Sequence, residues 1–362
     1  MKTPNKRTED PRNRKEPMTP TTKRSPAARH RKRNTPVPAA NVDPSLARLD
    51  DPSLDRFRPR NLDLERRYVS RKLANGLSDI DVLSAYWERR TDGHPQNVGL
   101  MGETQCGKTM LVEVMAFVLA RRLGLSKPLP VFTLSGSSAI TDHDIFGQYR
   151  PVEVAGVEQL VWMEGIVAMA CRVGGILYLD EVNAMQGNVT AALHPVLDHR
   201  RQFVNLRKPV TDGFGGHAPE VVSVSPHLWC VSTCNPGYAG MAKMNAAFAN
   251  RFQWLLWGYD RKVESRLVPS TSVRLVGDAL RMAKDQRVLS TPVGTSALMR
   301  LADDIRDFGV DFAIQAFLGQ FAAINEQSKV EAILNDRSLI PMLKAEWEQN
   351  EQNNETTTAG ES

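Results

Sequence analysis

Residues 102–109 read Gly-Glu-Thr-Gln-Cys-Gly-Lys-Thr, and this octet constrains the chain more than any other stretch. It fits G-x-x-x-x-G-K-[ST] and lies between a short apolar run, Asn97–Met101, and a long one, Lys108–Leu123, that stops at Gly124. A buried strand, a glycine-bracketed loop and a helix are the predicted consequence. The glycines let the main chain wrap closely enough for successive N–H groups to point at one anion. The helix that starts at the loop adds its N-terminal partial positive charge. With the Lys108 ammonium, this set suits the β- and γ-phosphates of a nucleoside triphosphate, ATP. The Thr109 hydroxyl is a hard oxygen donor for Mg²⁺. The expected cofactor-binding residues are Gly102, Glu103, Thr104, Gln105, Cys106, Gly107, Lys108, Thr109 and Met110.

Four more short apolar runs follow: Val131–Leu134, Ile176–Leu179, Leu228–Ser232 and Trp254–Trp257. Helical patterns separate them, and Val82, Leu83, Tyr86 and Trp87 form an apolar helix face ahead of the first run. Near-continuous apolar strands alternating with helices imply a parallel sheet covered on both faces. The fold class expected is α/β, a five-stranded parallel sheet flanked by helices. Beyond Lys262 the strand signal stops. Val273–Lys284, Thr295–Phe308 and Phe312–Asn325 have helical spacing, predicting a small all-helical lid domain over 262–348.

The run Ile176–Leu179 ends in Asp180 and Glu181. Ligand sites in parallel sheets lie at the carboxyl ends of strands, where this pair falls. Asp180 would hold Mg²⁺ together with Thr109, and Glu181 would orient the attacking water. Alone, two carboxylates could be a solvated strand end; the phosphate loop upstream makes the catalytic reading the stronger. Leu228–Ser232 runs into Thr233-Cys234-Asn235-Pro236. Asn235 could reach the γ-phosphate or the water, though by itself an Asn-Pro pair reads as a turn.

Charge separates the tails from the body. Of 46 Lys/Arg and 41 Asp/Glu, residues 1–33 hold 12 and 3, which leaves 34 and 38 for the remainder, a balance of −4. Residues 1–60 lack the apolar content to offset their ordering entropy and are expected to form a disordered basic tail. That tail could contact nucleic acid through phosphates or serve only as a solubilising leader. The 349–362 stretch reads as a polar tail. No apolar run approaches the ~20 residues that span a bilayer. The four scattered cysteines suggest reduced thiols, hence a cytoplasmic protein without membrane contact. Cys230 and Cys234 do not have the spacing of a zinc pair, and Cys106 reads as a small residue that fits its loop rather than a redox thiol.

In this order, the loop, Leu179-Asp180-Glu181, Thr233-Cys234-Asn235-Pro236 and Asn250-Arg251-Phe252 resemble AAA+ ATPases, and most of all the MoxR and dynein-related branch. Asp144-Ile145-Phe146-Gly147 followed by Glu164-Gly165 is similar to that branch's helix-2 insert. The resemblance covers about Ser78 to Phe321; the nucleotide-binding domain is expected over 61–261, between the tail and the helical region. It implies ATP hydrolysis by an oligomeric ring, expected to be a hexamer, that remodels a protein client of von Willebrand A type. A DNA-associated motor using the basic tail is the alternative. It implies that Asn235 is the sensor-1 residue and that Arg251 is an arginine finger completing a neighbour's site. With Glu181 these form the expected catalytic set. The Gly147–Met163 stretch would be a pore-facing hairpin whose Tyr149 and Trp162 grip substrate or merely pack. The branch's usual sensor-2 arginine has no clear counterpart; Ser296 takes its place, with Arg300 one turn later. No role emerges for 207–226.

Overall fold

The computed structural model describes residues 44–200, 203–235 and 244–360, with backbone alone at 44–45 and 354–360. The strongly basic stretch 1–33 and Pro236 lie outside the described residues. Five strands, β1 (Val98–Met101), β2 (Val131–Ser135), β3 (Gly175–Asp180), β4 (Leu228–Cys234) and β5 (Gln253–Leu256), form one sheet in the order β5-β1-β4-β3-β2. Every pairing in it is parallel. All of β4 is buried, as is all of β3 except the half-buried Asp180, because helices cover both faces.

Strand periodicity divides these runs between two cores. Ile176, Tyr178, Trp229 and Val231 face α1 (Asp79–Glu88) and α2 (Lys108–Leu123), meeting Leu83, Leu111, Met115 and Leu119. Leu177, Leu179, Leu228 and Cys230 face the other way, onto Val167, Ala168 and Cys171 of α3 (Ile166–Val173). β3 and β4 need continuous apolar runs because neither has a water-facing side. α1 is capped by the Ser78 side chain, which accepts from the amide of Asp81.

After β5 the chain is helical, as expected: α4 (Arg261–Leu267), α5 (Thr271–Asp285), α6 (Thr295–Phe308), α7 (Val310–Leu318), α8 (Ile324–Asp336) and α9 (Leu339–Gly360). They share a core of their own, around Val276, Leu280, Leu298, Phe317 and Leu334. The single helix expected over Phe312–Asn325 is broken. α7 stops at Gly319, and the fully buried Phe321 sits in the link to α8. Phe317 and Phe321 meet edge to face in one core with ring centroids 5.8 Å apart, so their spacing mimics a helix across the break.

Two further departures concern the ends. Residues 44–60, expected in the tail, form helical turns over Pro44–Ala47, Arg48–Asp50 and Pro52–Phe57. Leu49 is fully buried, Phe57 packs 4.7 Å from Phe132, and Arg58 donates to the carbonyl of Leu49 at 2.6 Å. A few apolar anchors in a polar stretch leave too weak a composition signal to read. At the other end α9 carries the backbone helix through 349–360 rather than ending before it.

Two hairpins interrupt the α/β order. Gly147–Val154 pairs with Val157–Glu164, matching the expected hairpin. Ala155 and Gly156 both have positive φ, 53° and 81°, as a tight two-residue hairpin turn requires. Tyr149 lies directly opposite Trp162, with centroids 5.2 Å apart, so the two rings pack on each other. The unassigned 207–226 stretch belongs to a second hairpin, Phe203–Thr211 with His217–Ser223, whose Val204, Leu206 and Val222 enter the core.

Candidate functional site

The phosphate-type loop leaves β1 and enters α2 through Gly107, whose φ of +86° is left-handed. No side chain caps α2, so its first amides are offered to the loop's concave side. A Cβ on Gly102 would lie 1.6 Å from the Trp257 carbonyl oxygen, so glycine is also demanded by packing. Lys108 is buried. Its Nζ donates to the carbonyls of Gly102 at 2.8 Å and Glu103 at 2.5 Å and to Asn235 Oδ1 at 2.7 Å.

The carboxyl ends of β3 and β4 complete the cluster. Asn235 Nδ2 donates to Glu181 Oε1 at 2.7 Å, so Lys108, Asn235 and Glu181 form one connected path. Glu181 sits in the left-handed region at φ 51°, ψ 49°, uncommon for a residue with a side chain. Its amide donates to Thr233 Oγ1 at 3.0 Å, and Thr233 in turn donates to Asp180 Oδ1. Such backbone strain concentrates at functional sites.

Thr109 Oγ1 lies 3.0 Å from the Tyr178 hydroxyl, which donates to Asp180 Oδ1 at 2.7 Å. Thr109 and Asp180 are thus brought to either side of one hydroxyl. The donor set is all oxygen, which fits a hard divalent cation such as Mg²⁺. Burial, and then the Asp180 carboxylate, push the Tyr178 phenol well above its ordinary value, so it remains a neutral donor. Cys106 is buried in the loop with its Sγ 2.9 Å from the Glu103 carbonyl. Burial pushes its thiol up, the opposite of what a reactive thiolate needs. Among the described residues no group of three His, Cys, Asp or Glu side chains is arranged to hold a metal. All four cysteines are free and buried.

Arg251 stands apart from these residues. It follows the short helix Ala246–Ala249 and precedes β5, at the amino edge of the sheet, where its carbonyl accepts from Asn97 Nδ2 at 3.2 Å. Its guanidinium donates to the carbonyl of Ala247 and lies 3.8 Å from Asp198 Oδ2. It borders a cleft with Asp92, Asp198, His199 and Arg200.

Several participants were not foreseen. Tyr178 and Thr233 each stand two residues before a polar strand end, so strand alternation places them on the same face as Asp180 and Asn235. That signal was available in the sequence. Asn183 Nδ2 holds the Asn235 carbonyl at 2.9 Å, and nothing in its local pattern announces this. Ser296 and Arg300 are exposed on α6. The lid cation that reaches the loop is instead Lys284 of α5, whose Nζ is 2.7 Å from Glu103 Oε2.

Residues 97–252 match the AAA domain of the dynein-related subfamily. This span opens one residue before β1 and closes one before β5, enclosing the loop, the acidic pair and Arg251. The denitrification regulatory protein NirQ of Pseudomonas aeruginosa is 30% identical over 244 residues, 64% of this chain and 83% of that one. The chain belongs to the dynein-related AAA family. Protein CbbQ of Hydrogenophilus thermoluteolus is 30% identical over 191 residues, 50% of this chain and 63% of its own. An uncharacterized protein of Staphylococcus epidermidis, SERP0979, is 25% identical over 254 residues, 66% and 89% of the two chains. The resemblance to the MoxR and dynein-related branch is borne out. No described helix of this AAA protein is long and apolar enough to cross a membrane.

Proposed function

We propose that this AAA protein binds Mg-ATP at the carboxyl edge of its sheet, hydrolyses it, and works as a ring oligomer that remodels a protein partner. The connected path from Lys108 through Asn235 to Glu181 is the observation that carries the reading. Lys108 and the loop amides would hold the phosphates. Asn235 fixes one carboxylate oxygen of Glu181, leaving the other to orient water and take its proton. Thr109 and Asp180 would hold Mg²⁺, which when bound supplies charge neutralisation at the phosphates. Arg251, at the opposite edge, would serve a neighbouring subunit, and a hexamer is the ring we expect. We take the client to be a protein of von Willebrand A type. The excess of 12 Lys/Arg over 3 Asp/Glu in residues 1–33 supports a second reading, a DNA-associated motor.

The test uses the full chain. Lys108→Ala is expected to abolish ATP binding. Glu181→Gln should bind ATP as wild type does and lose turnover by about 10²-fold or more. Wild-type protein that takes up no Mg-ATP at millimolar concentration would falsify the assignment. Glu181→Gln held in ATP should co-purify a specific protein client. Turnover that rises with DNA, and loses that response when residues 1–33 are removed, would favour the second reading.

A further inference from the structure

The four variable positions of the phosphate loop are each held by a different distant part of the chain. The Glu103 carboxylate pairs with Lys284 of α5 at 2.7 Å, across 181 residues of sequence. The Thr104 carbonyl accepts from the Tyr259 hydroxyl at 3.1 Å. Gln105 packs so closely on Gly294 that a Cβ there would lie 2.4 Å from its own Cβ. The Cys106 carbonyl accepts from Arg71 Nη2 at 2.7 Å. Two of these anchors, Lys284 and Gly294, belong to the helical lid, and Tyr259 leads into it.

The lid side of the contact is built rigidly. Arg281, one turn before Lys284 on α5, pairs with the buried Glu264 of α4 through two bonds of 2.7 and 2.8 Å. It also donates to the Val293 carbonyl at 2.9 Å and lies 3.7 Å over the Tyr259 ring. Thr295, at the start of α6, donates to Glu264 at 2.6 Å. One buried ion pair therefore fixes α4, α5, α6 and Tyr259 as a unit. By contrast the Glu103–Lys284 pair is partly exposed, with 32% and 24% of the two side chains accessible. It is the joint between lid and loop that water and salt can open.

We propose that Lys284 is a positioning residue: its ion pair with Glu103 clasps the lid onto the phosphate loop and keeps the loop shaped for nucleotide. The inference rests on the ATP-binding reading given above. Ordering a loop before the ligand arrives spares the ligand that cost, so the clasp shows in affinity rather than in the chemical step.

The experiment measures equilibrium binding of a fluorescent ATP analogue and steady-state turnover of the full chain, for wild type, Lys284→Met and Lys284→Arg. Lys284→Met should weaken binding about two- to five-fold, the size appropriate to a partly exposed pair, and raise KM by the same factor. Its kcat should stay within about two-fold, because this side chain sits on Glu103 and not on the acidic pair. Lys284→Arg should restore affinity. Raising NaCl should weaken wild-type binding more steeply than that of Lys284→Met, since only wild type has the pair to screen. Glu103→Lys combined with Lys284→Glu should bind better than either single change. Wild-type affinity in Lys284→Met, or failure of Lys284→Arg to restore it, overturns the clasp while leaving ATP binding intact. Absence of binding in the wild type would instead sink the functional reading itself.

Discussion

The two edges of the sheet are built differently. At the carboxyl edge Lys108, Thr109, Tyr178, Asp180, Glu181, Thr233 and Asn235 are joined by hydrogen bonds within one chain. At the amino edge Arg251 has the carbonyl of its own short helix and a carboxylate 3.8 Å away, and its buried Nε has no partner among the described residues. One edge is hydrogen-bonded within itself. The other presents a cation held by one charge-assisted hydrogen bond and one long ion pair beside a cleft. The 3.8 Å pair of partly exposed groups is worth at most about 1 kcal/mol, so the Ala247 carbonyl is the main hold on the guanidinium.

This contrast can be sharpened by cutting each edge separately. Removing the amino-edge cation should have the larger effect. Arg251→Ala is expected to lower ATP turnover by about 10³-fold while nucleotide affinity stays near wild type. Mixing it with Glu181→Gln chains should restore part of the activity, because each variant supplies what the other lacks. Normal turnover by Arg251→Ala, measured by phosphate release, would mean the two edges do not cooperate. Cutting the carboxyl-edge path with Asn235→Ala should lower kcat by about 10²-fold, and mixing it with Glu181→Gln chains should restore nothing, since both changes cut one path inside one chain. Rescue of Asn235→Ala by Glu181→Gln would blur the distinction.

The smallest expected effect concerns pH. His199 lines the Arg251 cleft, close enough to His94 for their rings to lie 6.5 Å apart. Burial, and then His94, lower the His199 value, while Asp198 and Asp92 draw it up. The folded imidazole therefore takes its proton at lower pH than the unfolded one. Its contribution to stability is present above about pH 6.5 and is lost as pH falls below that value. His199→Gln should flatten the fall of melting temperature between pH 7 and 5. An unchanged slope would show that this histidine does not tune the amino edge.

How much of this was legible in the sequence follows from the kind of interaction involved. β1, β3 and β4 could be read because each is buried on both faces and so appears as an unbroken apolar run; β2 and β5, at the sheet's edges, are partly exposed but still carry short apolar runs. The loop and the acidic pair could be read because their chemistry fixes residue types at fixed spacing. Tyr178 could have been found from strand alternation. Lys284, Tyr259 and Arg71 could not, because their partners are main-chain carbonyls or a carboxylate far away in sequence, and such pairs leave no local pattern. The second hairpin was hidden for another reason. Its Val204, Leu206 and Val222 alternate correctly, but Pro209 and Pro219 stand within it and Asp212 to Gly216 reads as a loop. Phe317 and Phe321 misled in the opposite direction, since two residues of one core imitated a helix across a turn.

The contact between Gly102 and the Trp257 carbonyl changes how a familiar substitution should be interpreted. An alanine at 102 would collide with the main chain leaving β5 before it met any ligand. Inactivity in Gly102→Ala would therefore report a forced separation of neighbouring strand exits. The side-chain changes at 108 and 181 speak to the chemistry; the glycine speaks to the masonry.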